Sequence, residues 1–280
     1  MREKRLSAPD AQKVDEHLSS MKLGVNIDHV AVLREARRVN DPDILNALYV
    51  ACQNGADQIT IHLREDRRHI QDVDAYNIMK HSTLPVNLEC SINRAILNIV
   101  TDLKPHRATL VPEKREEVTT EGGLDVIGHE DETAYAIELL HDYLIPVSLF
   151  VDPTIEAVEK SKKLGAEMVE LHTGTFANLY AMLNSSLSYS NHSIKELELP
   201  RNELSIRLEK SIAEITAAAK HAKKIGLEVA AGHGLNYHNV HEMMKITEIT
   251  ELNIGQSIVA KSVFSGLAEA VREMKRLTSR

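Results

Sequence analysis

Tryptophan is absent from the sequence and phenylalanine occurs three times. So few aromatic rings argue against a surface that stacks nucleic-acid bases. A basic excess is missing too. The 41 acidic residues outnumber 33 lysines and arginines, giving a net charge of −8 where a general nucleic-acid binder would be basic. Cysteine is limited to Cys52 and Cys90, which make neither a metal-spaced set nor a disulfide framework, so a reducing cytoplasm is the expected compartment. No apolar run approaches the roughly 18 residues of a membrane span. The opening MREKRLSAPDAQKVDEHLSS lacks the apolar middle of a secretion signal, and residues 1–20 read as a polar extension. The whole chain is 43% hydrophobic and, at 280 residues, long enough for one large α/β domain or two small ones with a substantial core; residues 21–280 read as a single domain.

From Lys22 onward, short β-branched runs alternate with longer amphipathic ones. The first four expected strands are KLGVNID (22–28), DQITIHL (57–63), PVNLEC (85–90) and RATLV (107–111). The second four are IPVSLFV (145–151), EMVELH (167–172), LEVAAG (227–232) and ELNIG (251–255). Helical periodicity occupies 42–54, 72–82, 92–103, 131–143, 154–164, 202–225, 237–247 and 257–277. Gly55, Gly165 and Gly226 mark helix ends. Strands alternating with helices imply parallel pairing, and eight such units are the inventory of a (β/α)8 barrel with extra helical segments. An open doubly wound sheet is the weaker alternative, because no GxGxxG or GxxxxGK[ST] turn follows the first strand. Two segments interrupt the rhythm. VPEKREEVTTEGGLDV, Val111 to Val126, has the length and polarity of a functional lid. Asn178 to Pro200, rich in Asn and Ser, reads as an irregular or partly helical excursion, or as a solvated insertion without a role.

In a barrel the active site lies at the carboxyl ends of the strands. Those ends carry Asn26, Asp28 and His29; His62 and Arg64; Glu89; Glu113 and Lys114; Asp152; Glu170 and His172; His233; Gly255 and Gln256. The strand beginnings are bland by comparison, an asymmetry that favours an enzyme. Glu89 and Glu170 sit inside apolar runs, where burial disfavours the charged carboxylate and tunes it for acid–base work. Their other reading is a buried ion pair inside the barrel. Most of the fourteen histidines, His81, His129, His141, His192 and His221 among them, fall on helices or loops and read as surface residues. His62 and His233 end strands. The glycine turns AGHG and NIGQS stand where such barrels hold phosphate, and LREDRRH, from Leu63 to His69, offers guanidinium groups for a second anion. Glu65 and Asp66 are expected to fix those arginines. A metal-dependent aldolase or epimerase using His62, His172 and His233, and a phosphate- or RNA-binding barrel without turnover, remain open on these residues alone. A Schiff-base aldolase fits less well, since strand six carries Glu170 and Lys114 lies on a loop.

The strings GVNIDHVAVLREAR, ITIHLREDRRHI, VNLE, LVPEKREEVTTEGGLDV, VELHTG, AGHGLNYHNV and ELNIG resemble, in content and order, the pyridoxine 5′-phosphate synthase family from about Lys22 to the C-terminus. The resemblance implies a (β/α)8 barrel in a cytoplasmic homo-oligomer, typically an octamer. It implies condensation of 1-deoxy-D-xylulose 5-phosphate with 3-amino-2-oxopropyl phosphate to pyridoxine 5′-phosphate, inorganic phosphate and water, with no metal or organic cofactor. It makes His62 and Glu89 proton acceptors, His233 a proton donor and Glu170 a stabiliser of transition-state charge. Asp28, His29, Arg64, His69 and Thr119 become contacts to the deoxyxylulose phosphate. Asn26, Arg37, Gly234, Gly255 and Gln256 become contacts to the amino-ketone phosphate or the product. Val111–Val126 resembles the family's mobile loop. The chain departs from the family pattern at Gln256, where the motif usually reads NIGH, in a longer Asn178–Pro200 region, and in the first 20 residues, which have no counterpart.

Overall fold

Eight strands of four or five residues, each followed by helix, make up the chain in a computed structural model that describes residues 21–113 and 122–279. The strands are β1 (Lys22–Asn26), β2 (Gln58–His62), β3 (Val86–Cys90), β4 (Arg107–Leu110), β5 (Val147–Val151), β6 (Met168–His172), β7 (Glu228–Gly232) and β8 (Glu251–Ile254). All pair in parallel in chain order, and β8 returns to β1, closing the barrel. The fold is the expected (β/α)8 barrel. Residues 1–20, Lys114 and Thr119 lie outside the described residues.

Strand composition fixes which side of each strand faces the axis. In β2, Ile59 and Ile61 are fully buried under the helices while Gln58, Thr60 and His62 alternate with them. In β3 the pattern repeats, with Val86, Leu88 and Cys90 outward and Asn87 and Glu89 inward. Burying each outward Ile or Leu contributes about 1.5–3 kcal/mol. The inward positions depart from the aliphatic layers common in such barrels. Gln58 Nε2 donates to Glu251 Oε1 at 3.0 Å, Thr60 Oγ1 to Asn253 Oδ1 at 3.1 Å, and Thr109 Oγ1 to Asn87 Oδ1 at 2.7 Å. Arg107 forms a two-pronged pair with the buried Glu251. This interior is a hydrogen-bonded column.

Helices α1 (Asp28–Glu35), α2 (Ile44–Gln53), α3 (Asp72–His81), α4 (Arg94–Leu103), α5 (Glu130–Asp142) and α6 (Ile155–Leu164) form the first part of the outer ring. The helices α7 (Gly174–Asn184), α8 (Arg201–Lys224), α9 (Val240–Met243), α10 (Gln256–Ser265) and α11 (Leu267–Leu277) complete it. Gly55, Gly165 and Gly226 all adopt positive φ at helix ends, as expected. Four expectations need correction. The first strand ends at Asn26, because Asn26 Oδ1 accepts the Asp28 N–H at 2.8 Å and turns the chain into a helix that periodicity did not show. Helix occupies Gly174–Asn184, where none was read before Asn178, so of the readings of Asn178–Pro200 the partly helical one holds; beyond it two 3₁₀ turns lean on a small apolar cluster of Leu179, Met182 and Leu204. The 237–247 helix shrinks to four residues. The 257–277 helix breaks at Gly266, whose φ of 77° no α-helix accommodates.

Candidate active site

A cavity of about 360 Å³ opens at the carboxyl ends of the strands. β1 and the start of α1 supply Asn26, Asp28 and His29 to its wall; β2 and its turn supply His62, Arg64 and His69. β3 contributes Glu89 and β6 contributes Glu170. The turns after β7 and β8 add His233, Gly234, Gly255 and Gln256. All but two of the residues expected at the site therefore converge. Arg37 is exposed in the turn after α1 and is not among the lining residues. Thr119 lies outside the described residues.

Each side chain has a local reason for its position. The Asp28 carboxylate accepts the His62 backbone N–H with both oxygens, at 3.0 and 3.1 Å, so it ties β1 to the end of β2. His62 Nε2 meets Glu113 Oε1 at 3.2 Å. A carboxylate only accepts, so in the neutral ring the proton sits on Nε2 and Nδ1 is left as the basic nitrogen. Burial pushes the Glu113 carboxyl up, but hydrogen bonds from His62 and the Glu65 N–H outweigh it and hold the group below its ordinary value. His62 and Glu89 are cross-strand partners in the β2–β3 register, which sets two proton carriers side by side.

Glu170 is buried near the barrel axis. Burial first, then the neighbouring Glu251 carboxylate, raise it to about 7, while the Asn253 hydrogen bond and the Arg107 charge oppose the rise. Asn253 Nδ2 links the two acids, 2.7 Å from Glu170 Oε2 and 3.2 Å from Glu251 Oε1. Glycine at 232 is required for this arrangement, because a Cβ there would stand 2.1 Å from Glu170 Oε1. His233 holds a positive φ of 76°, uncommon for a residue with a side chain. The Thr173 hydroxyl, 2.7 Å from the Gly232 carbonyl and 2.6 Å from that of His233, secures the turn. At Gly234 the φ is +81° and an added Cβ would come 2.5 Å from Ala177 Cβ, so both backbone and space exclude any other residue.

The charged burst after β2 divides. Arg64 is buried and lines the cavity, its Nε 3.2 Å from Asp66 Oδ1. His69 is buried beside it and accepts the Ile70 N–H on Nδ1, which makes Nε2 the N–H of its neutral ring. Arg67 and Arg68 do not line the cavity; they pair with Asp72 at 2.6 Å and Asp66 at 2.7 Å. Asp66 fixes two arginines as expected. Glu65 does not, since its carboxylate accepts from Ser91 Oγ and Asn93 Nδ2 instead. Sequence reasoning passed over Arg34, which grips Asp74 with two bonds of 2.7 Å and the His69 carbonyl at 3.0 Å. Among the described residues no three His, Cys, Asp or Glu side chains gather as metal ligands.

The model of one family, the pyridoxal phosphate biosynthesis protein PdxJ, matches residues 23–280. The chain belongs to the PdxJ family. Membership makes it an enzyme of vitamin B6 biosynthesis. The pyridoxine 5′-phosphate synthase of Sulfurimonas denitrificans is 89% identical over 260 residues, covering 93% of this chain and 100% of the relative. That of Aliarcobacter butzleri is 62% identical, covering 92% and 98%. Among solved structures, phosphoribosylanthranilate isomerase from Pyrococcus furiosus superposes with a TM-score of 0.53 at 14% identity, covering 92% of this chain and 98% of that one. At that identity the likeness is one of fold. In this PdxJ chain, Asn253 and Phe150 line the cavity without having been named from the sequence; His172 and Glu113, noted at strand ends but given no part in the condensation, line the cavity and meet His62 respectively. The signal for Asn253 and His172 was their parity with Glu251 and Glu170 along the strand.

Proposed function

We propose that this PdxJ chain condenses 1-deoxy-D-xylulose 5-phosphate with 3-amino-2-oxopropyl phosphate, releasing pyridoxine 5′-phosphate, inorganic phosphate and water in a transferase-class ring closure. The observation that carries the reading is the gathering of Glu89, His62, Glu170 and His233 on one cavity between two anion-binding turns. Forming a pyridine ring from an amine and two carbonyl compounds needs imine formation, dehydration and an aldol-type closure, each moving a proton. His62 Nδ1 and Glu89 accept protons, and His233 returns one to a departing oxygen. Glu170, poised near neutrality, offsets positive charge on the imine when ionised.

Two phosphates need two donor sets. Arg64 and the Nε2–H of His69 form one. Gly234, Gly255 and the N-terminus of α10 at Gln256 form the other, where backbone N–H groups and the helix dipole favour an anion. Gln256 donates an N–H there but carries no charge. Residues 114–121, within the segment read as a lid, lie outside the described residues.

The reading includes a cytoplasmic homo-octamer or other homo-oligomer. Phe264, 94% exposed beside the exposed Val263, supports a covered surface on α10. Light scattering on the purified protein measures the assembly. Among the described residues no helix is long and apolar enough to cross a membrane. For the activity, the purified protein is given both substrates without added metal. Equal amounts of phosphate and of the B6 vitamer, identified by mass, are expected; phosphate without vitamer, or neither, rejects the reading.

A further inference from the structure

His172 has no role in the chemistry above, yet its position is specified as closely as that of His62. It ends β6 two residues after Glu170, faces the same cavity and is 4% exposed. Its ring is held edge-on between Phe150 and His233, with centroids 5.2 and 5.0 Å away. Nδ1 lies 3.2 Å from Asp152 Oδ1. Its other nitrogen, Nε2, is enclosed and finds no hydrogen-bond partner among the described residues. A buried polar atom left this way is costly unless something else satisfies it. Packing alone would be served better by an apolar ring.

The Asp152 carboxylate can only accept, so in the neutral ring the proton rests on Nδ1 and Nε2 presents a lone pair. Glu113 orients His62 by the same logic, with the two nitrogens exchanged. Asp152 has a second task. Its Oδ1 also accepts the Gly123 N–H at 2.9 Å, at the C-terminal stem of the 111–126 segment. Gly123 sits so close that a Cβ there would stand 2.4 Å from the Asp152 nitrogen. One carboxylate thus joins the stem of that segment to the His172 imidazole.

We propose that His172 is a further catalytic residue of this site, its Nε2 accepting a proton from an O–H or N–H of the bound phosphorylated reactants while Asp152 holds the ring in the accepting tautomer. The inference rests on the proposed condensation. The proton passes to Nε2, the electron pair stays on the substrate atom, and the negative Asp152 offsets the imidazolium. The same proton then leaves with a departing hydroxyl as water, which restores the ring for the next turnover.

Steady-state kinetics of the full chain with both substrates test this. In His172→Asn, the amide takes the place of Nδ1 and no acceptor reaches the position of Nε2. kcat should fall about 100-fold while KM for both substrates and the thermal midpoint hold. In Asp152→Asn, the amide N–H faces Nδ1 and turns the proton onto Nε2, so kcat should fall to a similar degree. Retention of a third or more of wild-type kcat by a folded His172→Asn, or by Asp152→Asn, overturns the proposal. A parallel fall in kcat and rise in KM, as a displaced wall would give, also overturns it. Should His172→Asn fail to fold, Asp152→Asn decides, since that side chain is 53% exposed. Wild-type protein that makes no vitamer is a separate result, and it removes the proposed condensation instead.

Discussion

Along β6, Val169 and Leu171 face the helices, whereas Met168, Glu170 and His172 face the barrel axis. The same division runs round the barrel. The outer faces bury aliphatic side chains with nothing to hydrogen-bond. The inner faces bury Gln58, Asn87, Thr109, Glu251 and Asn253, with the partly buried Arg107, in a network that reaches Glu170. The outer layer supplies hydrophobic stabilisation, which depends on area and tolerates exchange. Burying the polar column costs desolvation and gains little net stability, so its value lies in holding a few groups in one protonation state and one orientation. Stability and chemistry are carried by opposite faces of the same strands.

The sharpest way to break this comparison is to change one residue on each face. Glu89→Gln on the inner face should lower turnover about 1,000-fold and leave the denaturant midpoint unchanged. Leu171→Ala on the outer face should cost about 3 kcal/mol of stability while sparing kcat in the protein that remains folded. Matched losses of stability in the two variants would erase the distinction.

Arg107→Met tests the column itself. Removing the guanidinium strands Glu251 beside Glu170, at a cost of about 3 kcal/mol when both acids are charged. The loss should be greatest at high pH and shrink as the acids take up protons; urea titrations at several pH values would reveal a pH-independent loss, which would sink the idea.

Glu170→Gln follows with a smaller effect of opposite sign. Because the folded value of about 7 lies above the ordinary 4.5, Glu170 takes up a proton on folding, and the wild type loses stability as pH rises across that interval. The amide escapes this loss. It should therefore be more stable than wild type by about 2–3 kcal/mol above pH 7, with little gain near pH 4.5, and should turn over poorly. A stability difference that does not vary with pH, measured by thermal unfolding, would show that Glu170 is not the group responsible. The smallest effect is expected from Gln256→His at the mouth, outside the column. It should keep kcat within about threefold and tighten inorganic phosphate binding at low pH, where imidazole is charged. Calorimetry with phosphate measures this, and a large fall in activity would mean the pocket has adapted to the amide.

Much of this was legible in the chain. β-branched runs of four to eight residues, separated by amphipathic stretches ending in glycine, placed all eight strands, and the ionisable residues at their carboxyl ends named most of the cavity wall. The helices without a reading of their own were α1 and α7. α1 begins because Asn26 turns the backbone, a contact no periodicity records. Part of LREDRRHI was read as a clamp, and Arg64 and His69 do line the cavity. Whether Arg67 or Arg68 would join them, and that Glu65 would not hold an arginine, could not be read, since alternation along a strand says nothing about the directions of residues in a turn.

By itself the sequence determined the number and order of the strands, the faces they bury and the residue types at their ends, because these follow from local periodicity and from the residues that terminate helices. Only closure of the barrel decided the partners. Arg107 and Glu251 are 144 positions apart and Asn253 and Glu170 are 83 apart, yet they form one network. Glu113 meets His62, and Asp152 meets His172, across strand ends whose separation along the chain carries no trace of contact. Protonation states and tautomers depend on distances of about 3 Å in a medium of low dielectric constant. Those distances exist once all eight strands are in place.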